Sequence, residues 1–253
     1  MKLGEVFTDR DVAHAYQQRP GYPPDTFRIL SDLVVGPRVV LDIGTGTGVI
    51  ARGMLPYVDR VDAVDISTAM MDEGRRLPGG DDPRIRWILG AAEDAPLDPP
   101  YGLIVAAAAI HWFDEARAMP RFARALAPAA RLAILEVVEE PLDTTWDPEM
   151  TAIVKRYSEV RDYRDMTDVL RALEDEGWFV REDEARTAAV RARRTLAEYL
   201  EWQHSKATLS RVRLGDRASA FDDDVAALFE RRGVSAVEFD VAGQLTWGRP
   251  VAK

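Results

Sequence analysis

The sequence predicts a doubly wound α/β fold built on a mostly parallel sheet of seven strands with a helical cover. Three observations carry that expectation. Up to about Val138, short apolar runs alternate with helical stretches, the pattern of a parallel sheet covered on both faces. One of those runs, Val39-Val40-Leu41-Asp42-Ile43, passes directly into Gly44-Thr45-Gly46-Thr47-Gly48, which reads as a buried strand entering a tight loop and a helix start. Past Pro141 the segments become longer, charged and amphipathic, as suits helices laid over one side of a sheet.

Taken in order, the predicted strands are Val39 to Ile43, Arg60 to Val64, Ile85 to Leu89, Leu103 to Ala107 and Leu132 to Val138, with helices in the gaps. Ser67 is placed to cap the helix carrying Met70 and Met71, and Asp114 to cap one running towards Leu126, which Pro120 should kink or restart. Amphipathic helices are expected around Thr151 to Glu176, Thr195 to Leu209 and Ser219 to Arg232. Strand-like pieces at Trp178 to Val190 and Val237 to Trp247 complete the sheet. The simplest organisation is one domain over 1–253, with a lid segment at 1–35 and cover segments at 141–176 and 195–232.

Composition excludes more than it selects. At 253 residues and 47% hydrophobic, the chain can bury a full α/β core. A net charge of -10 argues against affinity built on neutralising phosphates, so nucleic acid partners are disfavoured. No apolar run is long enough to span a bilayer, and the first residues lack the charged-then-apolar pattern of a secretory signal; a cytoplasmic protein with no membrane partner is expected. The lack of cysteine removes disulfides, thiolate nucleophiles and cysteine-ligated zinc. Oligomeric state leaves no mark in the sequence.

The glycine run is where bare backbone can approach a nucleotide-type cofactor. Its spacing is not the dinucleotide fingerprint, whose third glycine would fall where Val49 stands, and no Gly-Lys-Ser/Thr follows to grip phosphates. The second strand ends in Asp65, at the distance where such folds set a carboxylate on ribose hydroxyls. Two charge-assisted hydrogen bonds to a diol contribute roughly 1.5 to 3 kcal/mol each.

The order acid, one residue, Gly-x-Gly-x-Gly at Asp42 to Gly48, followed by Asp65, resembles motif I and its sequel in the class I S-adenosylmethionine-dependent methyltransferases. The resemblance implies a Rossmann-like methyltransferase fold and S-adenosylmethionine as cofactor. It would be lined by Asp42, Gly44, Thr45, Gly46 and Gly48, with Asp65 and Ile66 at the ribose and Ala107 at the end of the fourth strand. Gly90 to Leu97 stands as the adenine loop, with Ala92 and Glu93 at the reading positions, although Ala91 replaces an acid that many relatives carry. Met70 matches a thioether packed on the adenine face; a core methionine is the alternative. His111-Trp112-Phe113-Asp114 is similar to small-molecule methyltransferases of the trans-aconitate methyltransferase type, as is the stretch Tyr16 to Pro24. That likeness implies Tyr16 as a lid and Arg19 as partner of the methionine carboxylate, against the alternative of a purely structural N-terminal helix. Two features depart from the pattern. Gly102 replaces an aspartate, and Leu126-Ala127-Pro128-Ala129-Ala130 replaces a Pro-Gly-Gly turn, so that turn must avoid positive φ or accept strain. Asp98-Pro99-Pro100-Tyr101 spells an amine-methylation signature, but it precedes the fourth strand, away from the ligand edge, and reads as turn chemistry.

The implied reaction is in-line methyl transfer, in which alignment and water exclusion matter more than bond activation. Should the acceptor carry a proton, His111 is the candidate base, ahead of His14 and His204. His111, Trp112, Trp146 and Tyr163 are the candidate acceptor contacts, with Tyr157, Trp202 and His204 as further aromatic candidates. Arg161 and Arg164 would suit an acidic acceptor, and a solvated helix face explains them equally. The Arg191 to Arg194 run reads as a charge-balanced surface. No oxygen-ligand cluster suggests a metal. The expected partner is a small-molecule acceptor. The alternative is the same fold binding the cofactor without methyl transfer, as a rearrangement catalyst or regulatory binder.

Overall fold

A computed structural model describes residues 3–158 and 166–253. Eight strands form an open sheet: β1 (Val39–Ile43), β2 (Arg60–Asp65), β3 (Ile85–Leu89), β4 (Leu103–Ala107), β5 (Leu132–Pro141), β6 (Phe179–Arg186), β7 (Val190–Thr195) and β8 (Ala236–Pro250). Their order is β3-β2-β1-β4-β5-β8-β6, with β7 also paired to β8. The first five strands run parallel, and β6 and β7 pair antiparallel to β8. The helices are α1 (Arg10–Ala15), α2 (Pro24–Leu33), α3 (Val49–Met54), α4 (Thr68–Arg76), α5 (Glu115–Ala125), α6 (Asp147–Tyr157), α7 (Met166–Asp175), α8 (Leu196–His204), α9 (Arg211–Leu214) and α10 (Ala218–Arg232). None of the described helices is long and apolar enough to cross a membrane.

The chain divides into two compact units. The sheet unit comprises Tyr22–Val138, Arg164–Ala188 and Ala242–Lys253; the small unit comprises Met1–Gly21, Glu139–Tyr163 and Ala189–Val241. The expected lid at 1–35 is accordingly shared between them. Tyr163, Arg161 and Arg164 lie outside the described residues.

In the sheet unit, successive β1 side chains point to opposite faces, as the strand period requires. Leu41 and Ile43 join Phe122 of α5 and Val169 and Leu173 of α7 on one side, while Val40 joins Leu30 of α2 and Ile50 and Met54 of α3 on the other. Because β1 has β2 on one side and β4 on the other, the strand order reverses between β1 and β4. The carboxyl ends there open a crevice in which such sheets bind ligands. Ser67 and Asp114 cap α4 and α5 as expected, accepting from the amides of Met70 (3.1 Å) and Arg117 (3.3 Å). Pro120 does not restart α5, which runs unbroken to Ala125; the proline ring is buried, and its cost is one rung of the ladder.

One expectation changes, and one open alternative is decided. The strand foreseen over 178–190 divides into β6 and β7, so the sheet has eight strands. β6 pairs with the second half of the long β8 and β7 with its first half, and Thr187 marks the break by exchanging hydrogen bonds with Gly243. The turn before β5 accepts strain: Ala129 adopts φ +64°.

The small unit has its own core. Met150, Ile153 and Tyr157 of α6 pack on Tyr199 of α8 and on Phe221, Val225 and Phe229 of α10. Thr195 and Glu198 form a reciprocal capping box at the start of α8.

Candidate functional site

The crevice is built from the carboxyl ends of β1, β2, β3 and β4. Leaving β1, the chain passes through Gly44 and Gly46 at φ +72° and +56°, a conformation that favours glycine. A Cβ on Gly44 would also lie 2.4 Å from Ala109 Cβ, so the loop and the segment after β4 approach too closely for any side chain. Two carboxylates pin this loop. Asp42 Oδ2 accepts from Thr45 Oγ1 at 2.5 Å and from the Ala51 amide at 3.1 Å. Asp65 Oδ2 accepts from the Gly46 amide at 2.7 Å, and its Oδ1 from the Ser67 amide at 2.8 Å.

The electrostatics of the pair differ. Asp42 is fully buried and its Oδ1 has no hydrogen-bond partner among the described residues; burial pushes its pKa up to about 7 against the lowering effect of Thr45 and Ala51. Burial also raises Asp65, opposed by the amides of Gly46, Ser67 and Ile66. The Gly46 amide bonds one Asp65 oxygen and the Ser67 amide the other, with the Ile66 amide also acting on the carboxylate, which leaves acceptor capacity in a group of about four lone-pair sites.

Beside Asp65 the surface turns apolar. Ile66 is 49% exposed and Leu89 57%, and Leu89 stands opposite Asp65 in the β2–β3 register. Two large exposed aliphatic side chains next to a carboxylate suit a nucleoside, whose base needs an apolar face and whose sugar needs acceptors. Met70 is buried under the loop, with Cε 3.3 Å from where a Gly46 Cβ would stand, which supports the core reading of this residue as well as the cofactor one. Ala92 is buried, and Glu93 Oε1 accepts from the Asp114 amide at 2.7 Å, tying the loop after β3 to the start of α5.

After β4, Ala107 is followed by Ala108 at φ +49°, an outlier for a non-glycine residue and one the sequence pattern did not flag. A short 3-10 turn over Ile110–Trp112 then presents His111 and Trp112, whose rings lie 4.4 Å apart. The other predicted residues belong to the small unit. Arg19 donates to the Ser205 hydroxyl (3.1 Å) and carbonyl (2.8 Å) and stacks 4.3 Å from the Tyr16 ring. Trp146 is 8% exposed and packs on Phe229 and Tyr199 within the core of the small unit. His204 is buried between the Leu209 carbonyl and Asp222. The Asp98–Tyr101 turn is structural, since Tyr101 is buried and its hydroxyl donates to Asp62 at 2.6 Å. Among the described residues no group of three or more His, Asp or Glu is placed to hold a metal.

Residues 40–129, from β1 to the end of α5, match a family model described as a methyltransferase domain. An uncharacterized methyltransferase of Mycobacterium tuberculosis is 38% identical over 123 residues, 48% of this chain and 48% of the relative, so the chain spans about half the length of the curated relatives it matches. A provisionally named type II methyltransferase from Anaeromyxobacter dehalogenans is 22% identical with a TM-score of 0.66, covering 91% of this chain and 97% of that one. A S-adenosylmethionine-dependent methyltransferase from Thiobacillus denitrificans, solved with S-adenosyl-L-homocysteine, is 14% identical with a TM-score of 0.53, covering 92% and 96%. These likenesses establish the Rossmann-like fold. The family match gives residues 40–129 the sequence character of a methyltransferase domain.

Proposed function

We propose that this chain transfers a methyl group from S-adenosylmethionine to an oxygen, nitrogen or carbon nucleophile of a small metabolite. The observation that carries the reading is Asp65: a carboxylate oriented by two backbone amides at a strand end, with spare acceptor capacity and the exposed Ile66 and Leu89 beside it. In this reading Asp65 takes the ribose diol, Ile66, Leu89 and Met70 contact the adenine, and the Ala92–Glu93 backbone reads its edge. The Asp42 and Gly44–Gly48 loop faces the methionine end.

Bound there, the cofactor supplies a methyl group already activated by a sulfonium charge, so this chain's residues have mainly to align the acceptor and exclude water. His111 and Trp112, just past β4 at the same edge as the glycine loop, are the proposed acceptor contacts, with His111 taking a proton where the acceptor must lose one. The net charge of -10 and the likeness of His111–Asp114 to trans-aconitate-type enzymes favour a small metabolite over nucleic acid.

Calorimetric titration with S-adenosylmethionine and S-adenosylhomocysteine, followed by a labelled-methyl screen over metabolite, peptide and RNA acceptors, tests this. Binding of both with transfer to a metabolite is the expected result. Binding with transfer to no acceptor would favour a cofactor-binding role without methylation, and transfer to RNA or peptide alone would overturn the substrate class.

A further inference from the structure

Two glycines far apart in the chain give way to one ring atom. Gly48 closes the glycine loop at φ +73° and stands just ahead of α3; a Cβ there would lie 2.5 Å from Cη2 of Trp87. Gly74, inside α4, would set a Cβ 2.6 Å from the same Cη2 and 2.6 Å from the Thr47 carbonyl oxygen. Glycine within a helix weakens it, so α4 gives up intrinsic stability to admit this indole. Trp87 belongs to β3, on the side of the sheet where Ile50 and Met54 of α3 pack.

The indole is tethered at one edge and presses on the loop with the other. Its Nε1–H donates to the Gly80 carbonyl at 3.0 Å, and the Arg75 guanidinium carbon lies 5.4 Å from the ring centroid. Gly80 is itself packed on α4, since a Cβ there would stand 1.9 Å from the Gly74 carbonyl oxygen. On the loop side, the Gly48 amide donates to the Thr45 carbonyl at 2.8 Å and the Gly48 carbonyl accepts from the Arg52 amide at 2.9 Å, so a shift of Gly48 disturbs both the loop and the first turn of α3. Leu89, two residues further along β3 and exposed at the strand end, stands opposite Asp65. One strand therefore serves two parts of the crevice, with Leu89 beside the carboxylate and Trp87 behind the loop.

We infer that Trp87 is a positioning residue for the methionine end of the cofactor, its indole wedged between Gly48 and Gly74 and holding the last turn of the Gly44–Gly48 loop in its left-handed conformation. Given the methyl-donor reading of the crevice, on which this inference rests, the indole acts through Gly48 rather than by touching the cofactor. A phenyl ring at position 87 is shorter and lacks the Nε1–H tether, so the loop loses its backing while Leu89 and Asp65 stay in place for the base and the ribose. The loss should therefore fall on ligands that carry the amino-acid tail and spare adenosine.

The test is calorimetry of the full chain against S-adenosylhomocysteine and adenosine in the wild type, Trp87→Phe, Gly48→Ala and the double variant, with thermal unfolding of each. Trp87→Phe should weaken S-adenosylhomocysteine about tenfold and adenosine less than about twofold, a split that a general loss of packing would not produce. Gly48→Ala should cost at least about tenfold more S-adenosylhomocysteine affinity in the wild type, where the new methyl meets Cη2, than in Trp87→Phe, where only the strain of the positive φ remains. The Trp87→Phe split decides the matter by itself should Gly48→Ala fail to fold. Equal losses for both ligands, unchanged S-adenosylhomocysteine affinity in Trp87→Phe, or the same Gly48→Ala penalty in both backgrounds would overturn the inference while leaving the cofactor reading intact. A wild-type chain that does not bind S-adenosylhomocysteine would overturn the cofactor reading, and this role of Trp87 with it.

Discussion

Asp62 and Asp65 stand three residues apart on β2, and their surroundings are opposite. Asp62, in the strand interior, is fully buried and neutralised: Arg86 grips it with two nitrogens at 3.0 and 2.6 Å, Arg60 Nε approaches to 3.2 Å, and the Tyr101 hydroxyl donates to it. Asp65, at the strand end, has backbone amides and no cation in contact among the described residues. Burial by itself therefore does not mark a functional carboxylate. What matters is whether the fold has already compensated the charge, and at Asp65 the compensation is left incomplete where a crevice opens.

Breaking each site in turn sharpens the contrast. Asp65→Ala removes two charge-assisted bonds to the ligand and should lower S-adenosylhomocysteine affinity at least about 100-fold, with a small loss of melting temperature as the Gly46 and Ser67 amides lose their acceptor, read by calorimetry and thermal unfolding. Asp62→Ala should instead act mainly on stability. Leaving the buried Tyr101 hydroxyl without its acceptor, with Arg60 and Arg86 still solvated and beside Asp98, costs about 1 to 3 kcal/mol, several degrees in Tm, with cofactor affinity altered only a few-fold. Leu89→Ser strips apolar contact from the base and should weaken adenosine and S-adenosylhomocysteine equally, by roughly tenfold; unequal losses would move the base away from β3.

The smallest effect is a pH dependence at Asp42. Its folded pKa is raised to about 7, so between about pH 4 and 7 the folded chain holds a proton that the unfolded chain has released. The contribution of this group to stability is present at low pH and is lost as pH rises through that window. Asp42→Asn should remove that part of the slope, so the wild-type minus variant difference in Tm falls from pH 5 to pH 7. A flat difference would mean that Asp42 is ionised throughout.

The parts of this picture legible in the sequence are those set by neighbours along the chain. The strand–glycine loop, the caps at Ser67 and Asp114, and Asp65 at the end of β2 all follow from spacing. What escaped depends on contacts between distant segments. Gly102 looked like a lost family residue, yet a Cβ there would lie 2.1 Å from the carbonyls of Val35 and Pro37, an approach that periodicity does not reveal. Aromatic residues near an amphipathic helix, Trp146 among them, read alike whether they line a cavity or fill a core. The division of β6 from β7 follows from the reach of β8, which a window of eight residues cannot show.

The central claim is that the Asp65 carboxylate holds a ribose diol, and a double-mutant cycle addresses it directly. Adenosine and 2′,3′-dideoxyadenosine would be titrated into the wild-type chain and into Asp65→Ala. The account predicts that removing the diol costs the wild type at least tenfold in affinity and costs the variant almost nothing. An equal loss in both proteins would contradict it.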